Sequence, residues 1–154
     1  MTVGNEGPPT AIHGMVDLCR AGAHPRSVAR LAAGWVVLGE RQVLPGYCLL
    51  LPDPVVPDLN ALVAAARTQF LADMARVGDA LLAVTGAIRI NYAVFGNLEP
   101  ALHAHVFPRR RTEPDETRTL QPWALDWPAA PAFSDTLHGG LRRALAAELV
   151  APPR

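Results

Sequence analysis

Ile90-Asn91-Tyr92-Ala93-Val94-Phe95-Gly96-Asn97-Leu98-Glu99-Pro100-Ala101-Leu102-His103-Ala104-His105-Val106-Phe107-Pro108-Arg109 is the stretch that decides how this chain is read. Its first part alternates, with Ile88, Ile90, Tyr92 and Val94 on one side and Arg89, Asn91, Ala93 and Phe95 on the other, which is the period of a half-buried strand. Gly96-Asn97 supplies a turn. A second strand follows over residues 102–107. It places Leu102, Ala104 and Val106 on one face and His103, His105 and Phe107 on the other, and Arg109-Arg110-Arg111 ends it. Two imidazoles two positions apart on a strand stand on the same face with Cα atoms about 6.7 Å apart, so both can meet one ligand.

Three uses fit that spacing. One histidine can be a surface residue and the other a satisfied structural one. The pair can chelate a metal completed by Glu99 or by a distant His13, His24 or His138. An imidazole can also act as a nucleophile. Spacing alone leaves the three open.

Outward from this stretch, residues 1–11 carry Gly, Pro and small polar side chains without periodicity and read as a flexible tail. Residues 12–21 suit a short helix. Residues 27–32, 35–39 and 47–51 are β-compatible runs, with a turn signal at 42–46, and together they suggest an antiparallel sheet. Three prolines make 52–57 a rigid connection rather than a central strand. Asp58 suits an N-cap, and Leu59, Leu62, Val63, Ala66, Phe70, Met74, Val77, Leu81 and Leu82 recur at helical spacing up to Gly86. The main helix is therefore expected over 58–85, with Gly78 marking a bend or a close approach. Residues 112–134 hold four prolines together with Trp123 and Trp127, and are expected to wrap the surface and pack their indoles. From Asp135 on, Leu137, Leu141, Leu145 and Leu149 form the stripe of a terminal helix. The fold class is α+β.

At 154 residues the chain is one domain's worth. Fourteen basic and fourteen acidic residues balance, which removes the positive excess that nucleic-acid binding draws on. No apolar run is long enough for a bilayer span, and the first residues lack the basic and apolar regions of a signal peptide, so the expected compartment is the cytoplasm with no membrane partner. Every basic residue is Arg, which excludes lysine Schiff-base chemistry and the P-loop. Ser27 and Ser134 lie in no Gly-x-Ser-x-Gly elbow, and Cys19 and Cys48 form no Cys-x-x-Cys pair.

The quoted stretch resembles the signature of the histidine-triad (HIT) superfamily, His-φ-His-φ-His-φ-φ with φ apolar, often followed by Pro-Arg. Counted back from Pro108-Arg109, His105 matches the third histidine and His103 the middle one, while Ala101 replaces the first. Leu44-Pro45-Gly46-Tyr47-Cys48-Leu49-Leu50-Leu51-Pro52 looks like the family's Pro-Gly-His strand, and the likeness covers roughly residues 17–110. It implies a HIT-like domain over 12–110, an antiparallel sheet packed against a long helix. Residues 111–154, the irregular Pro/Trp segment and a C-terminal helix, pack on the same domain.

The resemblance also implies a function. The family's middle histidine attacks the α-phosphorus of a nucleotide, so His103 inherits the nucleophile's role and His105 that of a donor to phosphate oxygen. Asn97 lies where a phosphate-touching Gln is common, and Asn91 matches a strand Asn near the ribose. The ribose-holding acidic or amide residue corresponds to Gly39, with Glu40 beside it as a weak substitute. Glu99 is a possible auxiliary group near the phosphates, and Arg109-Arg110-Arg111 is either a guide for an anionic tail or a solvated strand end. The implied activity is nucleotide hydrolysis, on dinucleoside polyphosphates such as diadenosine tetraphosphate. Transfer to another acceptor, or nucleotide or metal binding without turnover, are the alternatives. No tightly bound metal or cofactor is expected beyond magnesium travelling with the nucleotide. The implied assembly is a homodimer formed through helix and strand surfaces before residue 100.

Overall fold

The computed structural model describes residues 7–153, so residues 1–6 of the expected tail lie outside the described residues. Helix α1 spans Ala11–Arg20, one residue earlier than its apolar pattern suggests. The Thr10 backbone N–H donates to His13 Nδ1 (3.0 Å), which ties down the first turn, and Ile12, Val16 and Cys19 form the buried stripe.

Five strands follow: β1 (Ser27–Arg30), β2 (Gly34–Leu38), β3 (Cys48–Pro52), β4 (Arg89–Ala93) and β5 (Ala104–Arg109). They form one antiparallel sheet in the order β1-β2-β3-β5-β4. Helix α2 (Ala64–Thr85) links β3 to β4, and α3 (Asp135–Val150) closes the chain. The architecture is α+β, as the alternation and helical periods indicate. One face of the sheet presents Leu38, Leu50, Ala104 and Val106 to α2 and α3, which contribute Phe70, Val77, Leu81, Leu145 and Leu149. The opposite face presents Val37, Leu49, Leu51 and Phe107 to α1, with Leu125 and Trp127 of the Pro/Trp segment beside them. Burying both faces leaves β1 and β4 as open edges.

Several boundaries differ from the sequence reading. Pro52 is the last residue of β3, paired with Gly34, so the rigid connection begins one residue later. The main helix begins at Ala64 and not at Asp58. The Asp58 carboxylate instead accepts from the Ala61 backbone N–H (2.9 Å) and caps a separate 3-10 turn, Leu59–Ala61, after which Leu62 is extended. Leu59 and Leu62 still pack against the core from that turn, which is why their spacing mimicked one more helical turn. Gly86 ends α2 at φ 67°, the left-handed conformation that favours glycine. In α3 the inward stripe uses His138 in place of Leu137, which is 68% exposed. Leucines every four residues advance about 40° per step around a helix of 3.6 residues per turn, so a run of four cannot share one face.

Gly78 is a close approach. A Cβ there would lie 1.9 Å from the Tyr92 hydroxyl and 2.9 Å from the ring carbon carrying it. Gly78→Ala, which in a free helix gains about 1 kcal/mol, is therefore expected to destabilise the protein by about 1–3 kcal/mol. In a Tyr92→Ala background the same substitution should become stabilising, and urea denaturation of the four proteins of that cycle checks it.

Candidate functional site

The ladder between β4 and β5 pairs Asn91 with Phe107 and Ala93 with His105, and that between β3 and β5 pairs Leu49 with His105. Paired residues share a face, so His105, Phe107, Asn91 and Ala93 stand on the α1 side of the sheet, joined by Tyr47 just before β3. His103 precedes the first residue of β5 and is 8% exposed. Its Nδ1 lies 2.7 Å from the Ala101 carbonyl oxygen. A carbonyl only accepts, so Nδ1 carries a hydrogen, and in the neutral form of the ring the lone pair is on Nε2. The backbone of residue 101 thus orients the ring whatever its side chain.

The His105 ring lies 4.8 Å from that of His103, steeply tilted at 72°. Its Nδ1 is 2.7 Å from the Tyr47 hydroxyl. Tyr47 stacks on Phe107 (4.3 Å, 6°) and meets the edge of Trp127, while Trp123 stands edge-on to His105 at 5.0 Å. The backbone of Gly39 passes so close under the phenol that a Cβ would sit 2.2 Å from a ring carbon. That contact explains the glycine: any side chain at 39 displaces Tyr47.

Burial in this aromatic cage, with the neighbouring His103 adding to it, drives the His105 pKa down from 6.5 to about 4. His105 is held neutral, and the unfolded chain binds its proton more tightly than the fold does. Its contribution is fully present above pH 6.5 and is lost as pH falls toward 4, by roughly 3 kcal/mol at most. Denaturation midpoints measured across that range should fall more steeply for the native chain than for His105→Gln.

The other expected site residues are placed differently. The Asn91 Oδ1 accepts from Arg109 (3.0 Å), so that amide is tied to a neighbouring side chain. Asn97 is exposed on the loop between β4 and β5. The Glu99 carboxylate accepts from the Ala11 backbone N–H (3.0 Å), where the positive end of α1 favours it. Glu40 is exposed past β2, its carbonyl accepting from the Phe133 backbone. A cavity of about 630 Å³ opens beside β4, walled by Asn91, Phe95, Phe107, Arg110 and Trp123. Phe95, Phe107 and Trp123 are the rings it shares with the surroundings of His105, and neither histidine lines it.

Arg109 corrects both readings of the arginine run. Its side chain is 8% exposed and ion-paired with Glu113 at 2.8 Å, and it also donates to Asn91 and to the carbonyls of Thr117, Arg118 and Leu120. It is a buried anchor for the segment after β5. Sequence reasoning missed Tyr47 and Trp123 as neighbours of His105. The signal for Tyr47 was its position, following Pro45-Gly46 where the resembled strand has a histidine.

The sequence matches no protein-family model and no curated protein. Among solved structures it is similar to a histidine triad protein from Bradyrhizobium japonicum, with 25% identity over 79% of this chain and 88% of that one and a TM-score of 0.68. A zinc-bound histidine triad family protein from Mycobacterium smegmatis is 21% identical over 84% of this chain and 89% of its own, with a TM-score of 0.62. A hypothetical histidine triad nucleotide-binding protein from Sulfolobus tokodaii gives a TM-score of 0.68 at 12% identity, over 88% and 91% of the two chains. In its fold, the chain is similar to the histidine triad proteins, and its His103-x-His105 pair stands at the start of the strand that carries that resemblance.

Proposed function

We propose that the protein hydrolyses nucleotides at the α-phosphate through a covalent nucleotidyl-histidine, with dinucleoside polyphosphates as the leading substrate class. The observation that carries this reading is the His103 hydrogen bond to the Ala101 carbonyl (2.7 Å), which orients the ring and puts the lone pair of its neutral form on Nε2, beside a second imidazole. In the first step His103 Nε2 forms a bond to phosphorus, and the bond to the leaving oxygen breaks with its electron pair departing on that oxygen. In the second, water forms the new P–O bond, the P–N bond returns its pair to Nε2, and the proton from water goes to solvent. His105 offers a donor to a non-bridging oxygen, in surroundings where such donors are worth most. The name of the Sulfolobus tokodaii neighbour, a nucleotide-binding protein, points the same way.

Incubation of purified protein with diadenosine tetraphosphate and shorter dinucleoside polyphosphates tests the reading. Consumption of substrate with a mononucleotide mass on the His103 peptide supports it, and neither product nor adduct across the series refutes it.

The same reading includes a homodimer. The β4 edge is unpaired in the sheet and flanked by exposed apolar side chains, Ile88 at 56% and Tyr92 at 42%, next to α2. Light scattering at micromolar concentration is expected to give twice the chain mass, and Ile88→Glu to give a monomer.

A further inference from the structure

The Tyr47–His105 contact has a direction that the geometry settles. Tyr47 is 5% exposed, and among the described residues its hydroxyl has His105 Nδ1 as its one hydrogen-bond partner. Were Nδ1 the donor, the phenolic hydrogen would be buried without an acceptor, an arrangement that folded proteins avoid. Burial raises the phenol's pKa above its usual value, so the hydroxyl keeps its proton. The hydroxyl therefore donates to Nδ1, and the hydrogen of neutral His105 sits on Nε2. In their neutral forms the two neighbouring rings are then opposite tautomers, His103 with its hydrogen on Nδ1 and His105 with its hydrogen on Nε2.

We propose that Tyr47 is a positioning residue that locks His105 as a neutral Nε2–H donor, and that the site in consequence turns over only nucleotides whose leaving group departs as a stable anion. Phosphoanhydrides meet that condition, whereas phosphoramidates and alkyl phosphoesters do not. The proposal rests on the nucleotidyl-histidine reading for its second half.

An anhydride needs no proton as it breaks, because the electron pair of the P–O bond is accommodated on a phosphate. An amine or alkoxide leaving group must take a proton as its bond to phosphorus breaks. Among the described residues, neither His103 nor Tyr47, the ionisable groups in contact with His105, supplies it. The His103 Nδ1–H is held by the Ala101 carbonyl, and the Tyr47 proton is held by Nδ1 in a group made less acidic by burial. His105 itself would have to give up its Nε2–H as imidazolate, since its doubly protonated form, with a pKa near 4, amounts at pH 7 to roughly one molecule in a thousand.

Nitrogen-15 spectra of the imidazoles test the lock without reference to turnover. The native protein is expected to show His105 protonated on Nε2 and His103 on Nδ1. Tyr47→Phe keeps the ring stacked on Phe107 and against the edge of Trp127, and is expected to move the His105 Nδ1 signal to that of an unbonded lone pair and to raise that residue's pKa. Hydrogen on His105 Nδ1 in the native protein, or an Nδ1 signal indifferent to Tyr47→Phe, overturns the lock.

The leaving-group half is read from adduct formation with one nucleoside monophosphate carrying, in turn, a nucleoside phosphate, 4-nitrophenol, methanol and an amine. The first two should react, and the last two should be slower by about a hundredfold or more, the range that a missing general acid spans. Comparable rates across the four overturn this half. Adduct from none of them removes it together with the proposed activity, while the spectra still judge the role of Tyr47.

Discussion

His103→Ala is expected to leave a folded protein that forms no covalent nucleotide and turns over substrate roughly ten-thousand-fold or more slowly, the scale seen when a nucleophile is deleted. Quenched single-turnover reactions should give an acid-labile, base-stable phosphoramidate on the native chain and none on the variant. The fold should survive, because His103 lies before the first residue of β5 and its ring contact to the main chain is to Ala101, two residues away. His105→Ala should still form the adduct, about a hundredfold more slowly, since losing one donor to the phosphate in a dry site costs around 3 kcal/mol. Adduct on His105, or full turnover by His103→Ala, would reverse the two roles and end the assigned mechanism.

Arg109→Ala is expected to be the most destabilising single change, at about 3–5 kcal/mol, because it strands a buried partner. Burial by itself pushes the Glu113 carboxyl up, but the Arg109 guanidinium and the Arg110 backbone N–H together hold it net below the usual carboxylate range. Without Arg109 that carboxylate keeps the Arg110 backbone N–H but loses the guanidinium, and the carbonyls of Thr117, Arg118 and Leu120 lose the donor it gave them. Lysine cannot reproduce a fork that meets both Glu113 oxygens while reaching three carbonyls, so Arg109→Lys should recover little. Adding Glu113→Gln to Arg109→Ala should restore part of the loss, as it removes the unpaired charge. Urea denaturation reads the magnitude. Hydrogen exchange should show residues 110–121 opening first.

What the sequence made legible is what depends on local period. The alternation through 88–95 and 102–107 indicated two strands, found at Arg89–Ala93 and at Ala104–Arg109, the second starting two residues later and running through Arg109, and Gly86 indicated the end of α2, because each of these is decided mainly by neighbours along the chain. Pattern failed where a side chain answers to something distant. Asp58 looks like the cap of a long helix until Leu62 is seen to be extended. Arg109 in a run of three arginines looks solvated, since the groups that bury it arrive from residues 113–120. Glu99 looks free for chemistry until α1 begins beside it. At the site, the closeness of the two imidazoles was readable. The hydroxyl that fixes one of their tautomers was not, because Tyr47 and His105 are separated by 58 residues.

The placement of β5 between β3 and β4 governs when that site comes into being during folding. Cys48 must find Val106 across the whole of α2 and β4, a closure whose entropic cost precedes any reward from the contacts it makes. Local hairpins such as β1–β2 and β2–β3 close over short loops and have no such delay. A chain that has built its helices and its first three strands therefore still has its two imidazoles apart from Tyr47. Reactivity toward a phosphorus centre should return during refolding with the slowest protected amides of β5, so that recovered activity reports completion of the fold.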